Sequence, residues 1–165
     1  MLRLTLIRHA KTEPAHSGQE DWDRALEARG QHDAAEMGRR LKGRHLKPEK
    51  MLVSPAVRAL TTAQTMAREL GISQGKLVLD ERLYLASSKD MLKVIQELGE
   101  TAAHLALVGH NPGITDFADQ LASERSMVNM PTGGVFTLEF DIARWSELAF
   151  GTGVNADFDY PTKSC

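Results

Sequence analysis

Apolar runs and amphipathic segments alternate along this chain from its first residues to about residue 140. Short runs rich in aliphatic residues predict strands at 2–7, 50–54, 76–79, 104–108 and 133–140. Between them, apolar positions recur every three or four residues, which predicts helices that begin near residues 27, 55, 89 and 113. This alternation predicts an α/β fold, a three-layer α/β/α sandwich with a mostly parallel central sheet and antiparallel strands at its edge.

Two segments depart from the alternation. Apolar residues in the segment 11–23 follow neither helical nor strand spacing, which predicts a loop. So long a loop is uncommon unless it is functional. Near the other end, residues 144–150 predict a final edge strand, and residues 151–165 read as a polar tail that adds little to the fold. We therefore expect one domain over residues 1–150, followed by a tail.

Composition and charge narrow the class of protein. The 165 residues suit one domain, and 42% hydrophobic with 25% charged residues is ordinary for a globular protein. The net charge of -2 provides no field that would attract nucleic acid or a membrane surface. The single cysteine, Cys165, excludes an internal disulfide, and residues 1–10 are too short for a secretory signal. We expect a cytoplasmic protein.

Basic residues follow three of the predicted strands. Arg8 and His9 come after Leu6-Ile7, Arg58 comes shortly after Val53-Ser54-Pro55, and His110 follows Leu107-Val108-Gly109. Because ligands of open α/β sheets bind at the carboxyl ends of the strands, these four side chains are expected to converge. Two guanidiniums and two imidazoles suit a tetrahedral dianion. The pattern therefore predicts phosphoryl chemistry.

The same motifs carry a family resemblance. Their joint order is Arg8-His9-Ala10, then Ser54-Pro55-Ala56-Val57-Arg58-Ala59, then Gly109-His110-Asn111-Pro112. This order resembles the histidine phosphatase superfamily, with its phosphoglycerate mutase-like fold, over residues 1 to about 140. The short length, Ala10 in place of the commoner glycine, and the segment 23–30 are similar to the SixA-type phosphohistidine phosphatases.

The resemblance implies roles for the four residues. His9 would be a nucleophile that forms a phosphohistidine, which water then hydrolyses. Arg8 and Arg58 would bind the nonbridging oxygens, and a protonated His110 would donate a further hydrogen bond. This chemistry needs a neutral His9, whose other ring nitrogen should donate to a backbone carbonyl or a similar acceptor. The resemblance implies no metal and no cofactor.

Other residues have less defined roles. Glu81 lies in a segment that resembles the source of the general acid in the mutase branch, with Asp80 as the second candidate and a solvated carboxylate as the alternative. Arg24 is placed by the resemblance near the anion site, Thr12 lies in the same loop, and both are candidate substrate-binding residues. Ser54 is expected either beside the pocket or as the N-cap of the second helix.

These observations favour a phosphatase that acts on a phosphohistidine-bearing protein, because a short chain has little material for loops that cover a small substrate. A small-molecule phosphomonoesterase or a phosphoglycerate mutase-like enzyme, acting on a small phosphorylated metabolite, is the enzymatic alternative. A noncatalytic phosphate-binding module is the other alternative. The presence of His9 beside the arginines argues against it, because a binder needs no nucleophile.

Overall fold

A computed structural model of the chain describes residues 1–163, so Cys165 lies outside the described residues. One central sheet lies between two pairs of helices. The elements are β1 (Leu2–Arg8), α1 (Ala28–Gly43), β2 (Lys50–Val53), α2 (Val57–Leu70), β3 (Leu77–Leu79), α3 (Ser88–Leu98), β4 (His104–Gly109), α4 (Gly113–Leu121), β5 (Val135–Phe140) and β6 (Val154–Asp159).

The sheet has six strands in the order β3-β2-β4-β1-β5-β6. The first four in this order run parallel to one another. β5 runs antiparallel to β1, and β6 runs antiparallel to β5. The predicted mixture of a parallel centre and antiparallel strands on one side is confirmed.

Side chains of the central strands alternate between two apolar cores. Ile7 of β1 faces α1 and α2, where it joins the cluster that includes Met37 and Met66. Its neighbour Leu6 belongs to the opposite cluster, with Phe117 of α4. This period of two places helices on both faces of the sheet, and the predicted three-layer α/β/α architecture is confirmed. No helix within residues 1–163 is long and apolar enough to span a membrane.

The edge strand predicted at residues 144–150 is wrong. This segment contains a single 3-10 turn, Trp145–Glu147. Trp145 is fully buried beside Phe140, and its indole nitrogen donates to the Ala102 carbonyl at 2.9 Å. Burial of one large aromatic side chain, rather than pairing with a neighbouring strand, decides the conformation here.

The segment expected to be an uninvolved polar tail supplies the edge strand instead. β6 pairs with the free edge of β5, and Arg40 of α1 donates to Asp159 at 3.1 Å and to the Tyr160 carbonyl at 3.0 Å. The backbone of β6 forms the ladder while most of its side chains remain partly exposed. A strand held by backbone pairing carries little hydrophobic signal in sequence, which explains the incorrect prediction.

Candidate active site

Strand register brings the candidate residues to one edge of the sheet. Arg8, the last residue of β1, is paired with Gly109, the last residue of β4, so His9 and His110 leave neighbouring strands side by side. Their ring centroids are 5.2 Å apart. On the other side of β4, Val53 is paired with Val108, which places Ser54 next to His110. The predicted convergence of these residues is confirmed for the two histidines.

His9 is held in a defined orientation by its own chain. Its Nδ1 lies 2.9 Å from the Ala10 carbonyl oxygen, which can only accept, so Nδ1 carries the proton and donates. The Thr12 hydroxyl also donates to this carbonyl, at 3.0 Å, and its oxygen lies 3.2 Å from Nδ1. This assignment leaves Nε2 as the basic nitrogen, and the predicted backbone acceptor for His9 is confirmed.

The charge state of His9 suits a nucleophile. Burial lowers its pKa to about 4; the hydrogen bond to Ala10, the next largest effect, opposes this shift, and the nearby charges of Arg58, Arg8 and Arg24 add to it. The residue is 9% exposed. At neutral pH His9 is therefore an uncharged imidazole surrounded by cations.

The acceptor of His9 is itself fixed to the surrounding structure. The Ala10 amide donates to the Thr62 hydroxyl of α2 at 3.0 Å, and that hydroxyl donates to the Arg58 carbonyl at 2.7 Å. On the other side, the Gly133 amide is 3.1 Å from the carbonyl oxygens of both Arg8 and His9. The turn at 131–134 thus holds the backbone of the Arg8-His9 segment.

His110 is almost fully buried against Ser54. Its Nε2 lies 2.7 Å from the Ser54 hydroxyl oxygen, whereas its Nδ1 is buried without a hydrogen-bond partner within residues 1–163. Burial, followed by repulsion from a protonated His9 and from Arg58, lowers the pKa of His110 to about 3. In the ligand-free protein His110 is therefore neutral, in contrast with the predicted protonated state. Of the two positions expected for Ser54, the structure shows the one beside the site. The N-cap position of α2 is taken by Ala56.

Arg8 and Arg58 lie beside the histidines but have different partners. Arg8 donates from Nη1 to the Met130 carbonyl at 2.9 Å, and its buried Nε has no partner among the described residues. Arg58, in the first turn of α2, is 3% exposed. It donates from Nη1 to the backbone carbonyl of Asp21 at 2.8 Å and from Nη2 to the carboxylate of Asp21 at 2.9 Å.

Asp21 is a site residue that the sequence patterns do not indicate. It lies in the loop between β1 and α1, in the 3-10 turn Asp21–Asp23. Besides Arg58, its carboxylate accepts from Arg24 at 2.9 Å and from the Tyr84 hydroxyl at 2.5 Å. The Tyr84 hydrogen bond, followed by those of Arg24 and Arg58, holds the pKa of Asp21 well below its usual range. The carboxylate is therefore ionised throughout the physiological pH range.

Tyr84 and Trp22 complete the rim of the site. The Tyr84 ring lies edge-on to His110, with centroids 5.6 Å apart, and edge-on to Trp22, with centroids 4.7 Å apart. The Arg58 guanidinium lies 5.9 Å from the centre of the Tyr84 ring, within the range of a cation–π contact. For Trp22 the only sequence signal was the length of the loop at 11–23, whereas Tyr84 ends the segment that contains Asp80 and Glu81.

Glu81 and Asp80, the two candidates for the general acid, make different contacts from Asp21. Glu81 is exposed in the 3-10 turn Glu81–Leu83, and no hydrogen bond or ion pair among the described residues joins its side chain to the site. Asp80 accepts from Arg82 at 3.0 and 2.8 Å, and these bonds lower the pKa of Asp80. Within residues 1–163, no group of three or more His, Cys, Asp or Glu side chains is arranged to hold a metal ion.

Comparisons with known proteins agree with this geometry. The sequence model of the histidine phosphatase superfamily (branch 1) matches residues 4–84, a span that contains Arg8, His9 and Arg58. An uncharacterized protein of Mycobacterium tuberculosis is 30% identical over 164 residues, which cover 94% of this chain and 99% of that protein.

Solved structures share the fold. A protein assigned as a SixA phosphohistidine phosphatase from Agrobacterium tumefaciens is 29% identical, with a TM-score of 0.77 over 84% of this chain and 92% of its own. The protein histidine phosphatase SixA in complex with tungstate has a TM-score of 0.83 at 20% identity, over 97% of both chains. A phosphoserine phosphatase from Entamoeba histolytica has a TM-score of 0.70 at 19% identity, over 98% of both chains.

Proposed function

The chain belongs to the histidine phosphatase superfamily (branch 1), and we propose that this phosphatase hydrolyses protein-bound phosphohistidine through transient phosphorylation of its own His9. One observation carries the proposal. The Nδ1–H of His9 donates to the Ala10 carbonyl, so its uncharged Nε2 is the free base in a group of cationic side chains. A neutral, oriented imidazole beside Arg8 and Arg58 is what a nucleophilic attack on phosphorus requires.

In the first step, the lone pair of His9 Nε2 attacks phosphorus. The bond between phosphorus and the substrate nitrogen breaks, and its electron pair remains on the leaving imidazole. Arg8 and the unoccupied N–H groups of Arg58 donate to the nonbridging oxygens, and His110 donates from Nδ1, the atom that has no partner within residues 1–163. Binding of a dianion would also raise the pKa of His110 and favour its charged form.

In the second step, water attacks the phosphorus atom now bonded to His9 Nε2. The P–N bond breaks, its electron pair returns to Nε2, and the proton of the water passes to solvent as inorganic phosphate leaves. The hydrogen bonds from His9 Nδ1 and the Thr12 hydroxyl to the Ala10 carbonyl hold the same ring orientation for both steps. No metal ion takes part in this proposed sequence.

The carboxyl groups around the site support a phosphohistidine substrate. Asp21 is ionised and bound to arginines, Asp80 is paired with Arg82, and Glu81 is exposed. A phosphoryl group on a protonated imidazole brings its own leaving-group proton, so its transfer depends little on an acid from the protein. The likeness to the Agrobacterium tumefaciens SixA protein, at 29% identity, favours the same substrate class.

The test measures phosphate release from three substrates in the presence of a chelator. These are a phosphohistidine-containing phosphotransfer protein, phosphoserine and an aryl phosphate. Each is incubated with the wild type, with His9→Ala, and with His32→Ala, a control for loss of an exposed histidine on α1. A rapid quench at alkaline pH, followed by mass analysis, locates the phosphoryl group on the protein, since phosphohistidine survives base and not acid.

We expect release from the phosphohistidine protein by the wild type and His32→Ala, and a phosphorylated His9 peptide. His9→Ala should release no phosphate. Faster turnover of phosphoserine or the aryl phosphate than of the phosphohistidine protein would instead identify a small-molecule phosphatase. Phosphate binding without turnover of any substrate would contradict the proposal and support the noncatalytic alternative.

A further inference from the structure

A carboxylate lies within a site whose other charged groups suit an anion. Asp21 is bound to Arg58 through both its backbone carbonyl and its side chain, at 2.8 and 2.9 Å. The Arg58 side chain is 4% exposed, whereas that of Asp21 is 43% exposed. Asp21 therefore lies at the rim of the site, with its charge directed both at the buried arginine and at the solvent from which a substrate arrives.

The Asp21 carboxylate stabilises the positive charge of Arg58, which its buried position at the start of α2 makes unfavourable. A cation in the first turn of a helix faces the positive end of the helix dipole, and burial adds the loss of hydration. Asp21 is the counterion for this buried charge in the ligand-free protein. A guanidinium has five N–H groups and Asp21 accepts from two of them, so Arg58 also has N–H groups that Asp21 does not use.

Several contacts hold Asp21 in place. Its carboxylate also accepts from Arg24 and from Tyr84, and the next residue, Trp22, packs edge-on against the same tyrosine. Four hydrogen bonds to Asp21 and one ring contact of Trp22 indicate a fixed part of the site rather than a carboxylate that leaves when substrate binds. With Asp21 in place, the charges of Arg8, Arg24, Arg58 and Asp21 sum to two positive charges. This net charge matches a phosphoryl dianion.

We propose that Asp21 is a specificity-determining residue that selects substrates by the charge next to the phosphoryl group. It remains bound to Arg58 and repels substrates that carry a carboxylate near the phosphorus, while it favours neutral or cationic leaving groups. The protonated imidazole of phosphohistidine is such a group, and this link to phosphohistidine rests on the proposed function. The charge selection itself requires only that a phosphoryl group enters beside Arg58.

The expected size of the effect follows from Coulomb's law. Two charges separated by a few ångströms at the edge of a protein, in partly screened surroundings, change binding by roughly five- to tenfold. A neutral residue of the same shape, Asp21→Asn, should remove this discrimination. Asp23→Asn is the matched control, because Asp23 is an exposed carboxylate in the same turn with no ion pair among the described residues.

The test compares phosphoserine with phosphoethanolamine, which differ by one carboxylate. Their dissociation constants are measured by phosphorus NMR titration in a His9→Ala background, so that no turnover occurs. We expect phosphoethanolamine to bind more tightly when Asp21 is present, and the ratio of the two constants to fall roughly five- to tenfold with Asp21→Asn. Asp23→Asn should leave the ratio unchanged.

An equal ratio with and without the Asp21 carboxylate would overturn the inference, and so would the absence of binding by either ligand. Thermal unfolding of each variant separates loss of the charge from loss of the fold, since a structural effect of Asp21→Asn would weaken both ligands together. The outcome is independent of the proposed function. If the phosphohistidine protein proves not to be a substrate, the ratio of the two ligands still measures charge selection.

Discussion

The Thr12 hydroxyl and the His9 ring donate to the same acceptor, the carbonyl oxygen of Ala10, at 3.0 and 2.9 Å. The Thr12 oxygen lies 3.2 Å from His9 Nδ1, so the three groups form a closed triangle. Thr12, expected from the sequence as a candidate substrate-binding residue, thus hydrogen-bonds the same carbonyl that orients the His9 ring.

Removal of this hydroxyl should slow turnover modestly. In Thr12→Val the Ala10 carbonyl still accepts from His9, so the correct nitrogen remains protonated, but the ring is less restrained. We expect kcat to fall roughly 2- to 10-fold with KM nearly unchanged, since one neutral hydrogen bond contributes about 0.5–1.5 kcal/mol. Thr101→Val, at an exposed position, is the control, and equal kinetics for the two variants would exclude a role for Thr12.

Replacement of Arg58 by lysine should be severe despite the retained charge. A single ammonium cannot donate to the Asp21 carbonyl, the Asp21 carboxylate and a phosphoryl group in the fixed geometry of a guanidinium. We expect kcat/KM to fall on the order of 100-fold in Arg58→Lys. Arg68→Lys in the last turn of the same helix, where the arginine is exposed, should retain full activity. A loss of less than about threefold in Arg58→Lys would exclude this role.

The Ser54 hydroxyl should contribute to stability through His110. Ser54 is fully buried, and its oxygen lies 2.7 Å from His110 Nε2. Ser54→Ala leaves that buried nitrogen without a partner, which costs about 1–3 kcal/mol of unfolding free energy. Urea denaturation would measure the loss, with Ser126→Ala at an exposed position as control. A fall in activity without a fall in stability would assign Ser54 to substrate binding alone.

Stability should decrease as the pH is lowered from 6.5 towards 4. His104 is buried, with Nε2 2.6 Å from the Thr5 hydroxyl, and burial lowers its pKa to about 4. A histidine in the unfolded chain titrates near 6.5, so between pH 6.5 and 4 the unfolded chain binds more protons than the folded protein. The free energy of unfolding therefore decreases as the pH is lowered. His9 and His110, with pKa values of about 4 and about 3, act in the same direction.

Urea denaturation at several pH values between 7 and 5 measures this dependence, in a range where most carboxyl groups remain ionised. Replacement of His104 by asparagine should reduce the slope, whereas the same change at the exposed His32 should leave it unaltered. Unfolding free energies that stay constant or rise between pH 6.5 and pH 5 would contradict the assignment of neutral buried histidines.

Local pattern was sufficient for most of the fold and for part of the site. The alternation of apolar strands with amphipathic helices determines the layer order, because each element must bury its apolar face. Parallel strands end at one edge of the sheet, so residues that follow them, such as Arg8, His9 and His110, meet there whatever the details of the loops. These features depend on the short-range periodicity of apolar residues and on the handedness of connections between parallel strands. The first can be read from a single sequence, and the second is the same for nearly all proteins.

Contacts between distant segments were decided only by the tertiary structure. Asp21 meets Arg58 across 37 positions of sequence, and Tyr84 meets Asp21 across 63, because two loops fold over the same edge of the sheet. The neutral state of His110 follows from its burial. The edge strand β6 forms because β5 has an edge that no other strand pairs with. Such features arise from the packing of the whole chain, where long-range hydrogen bonds and loss of hydration outweigh local preference.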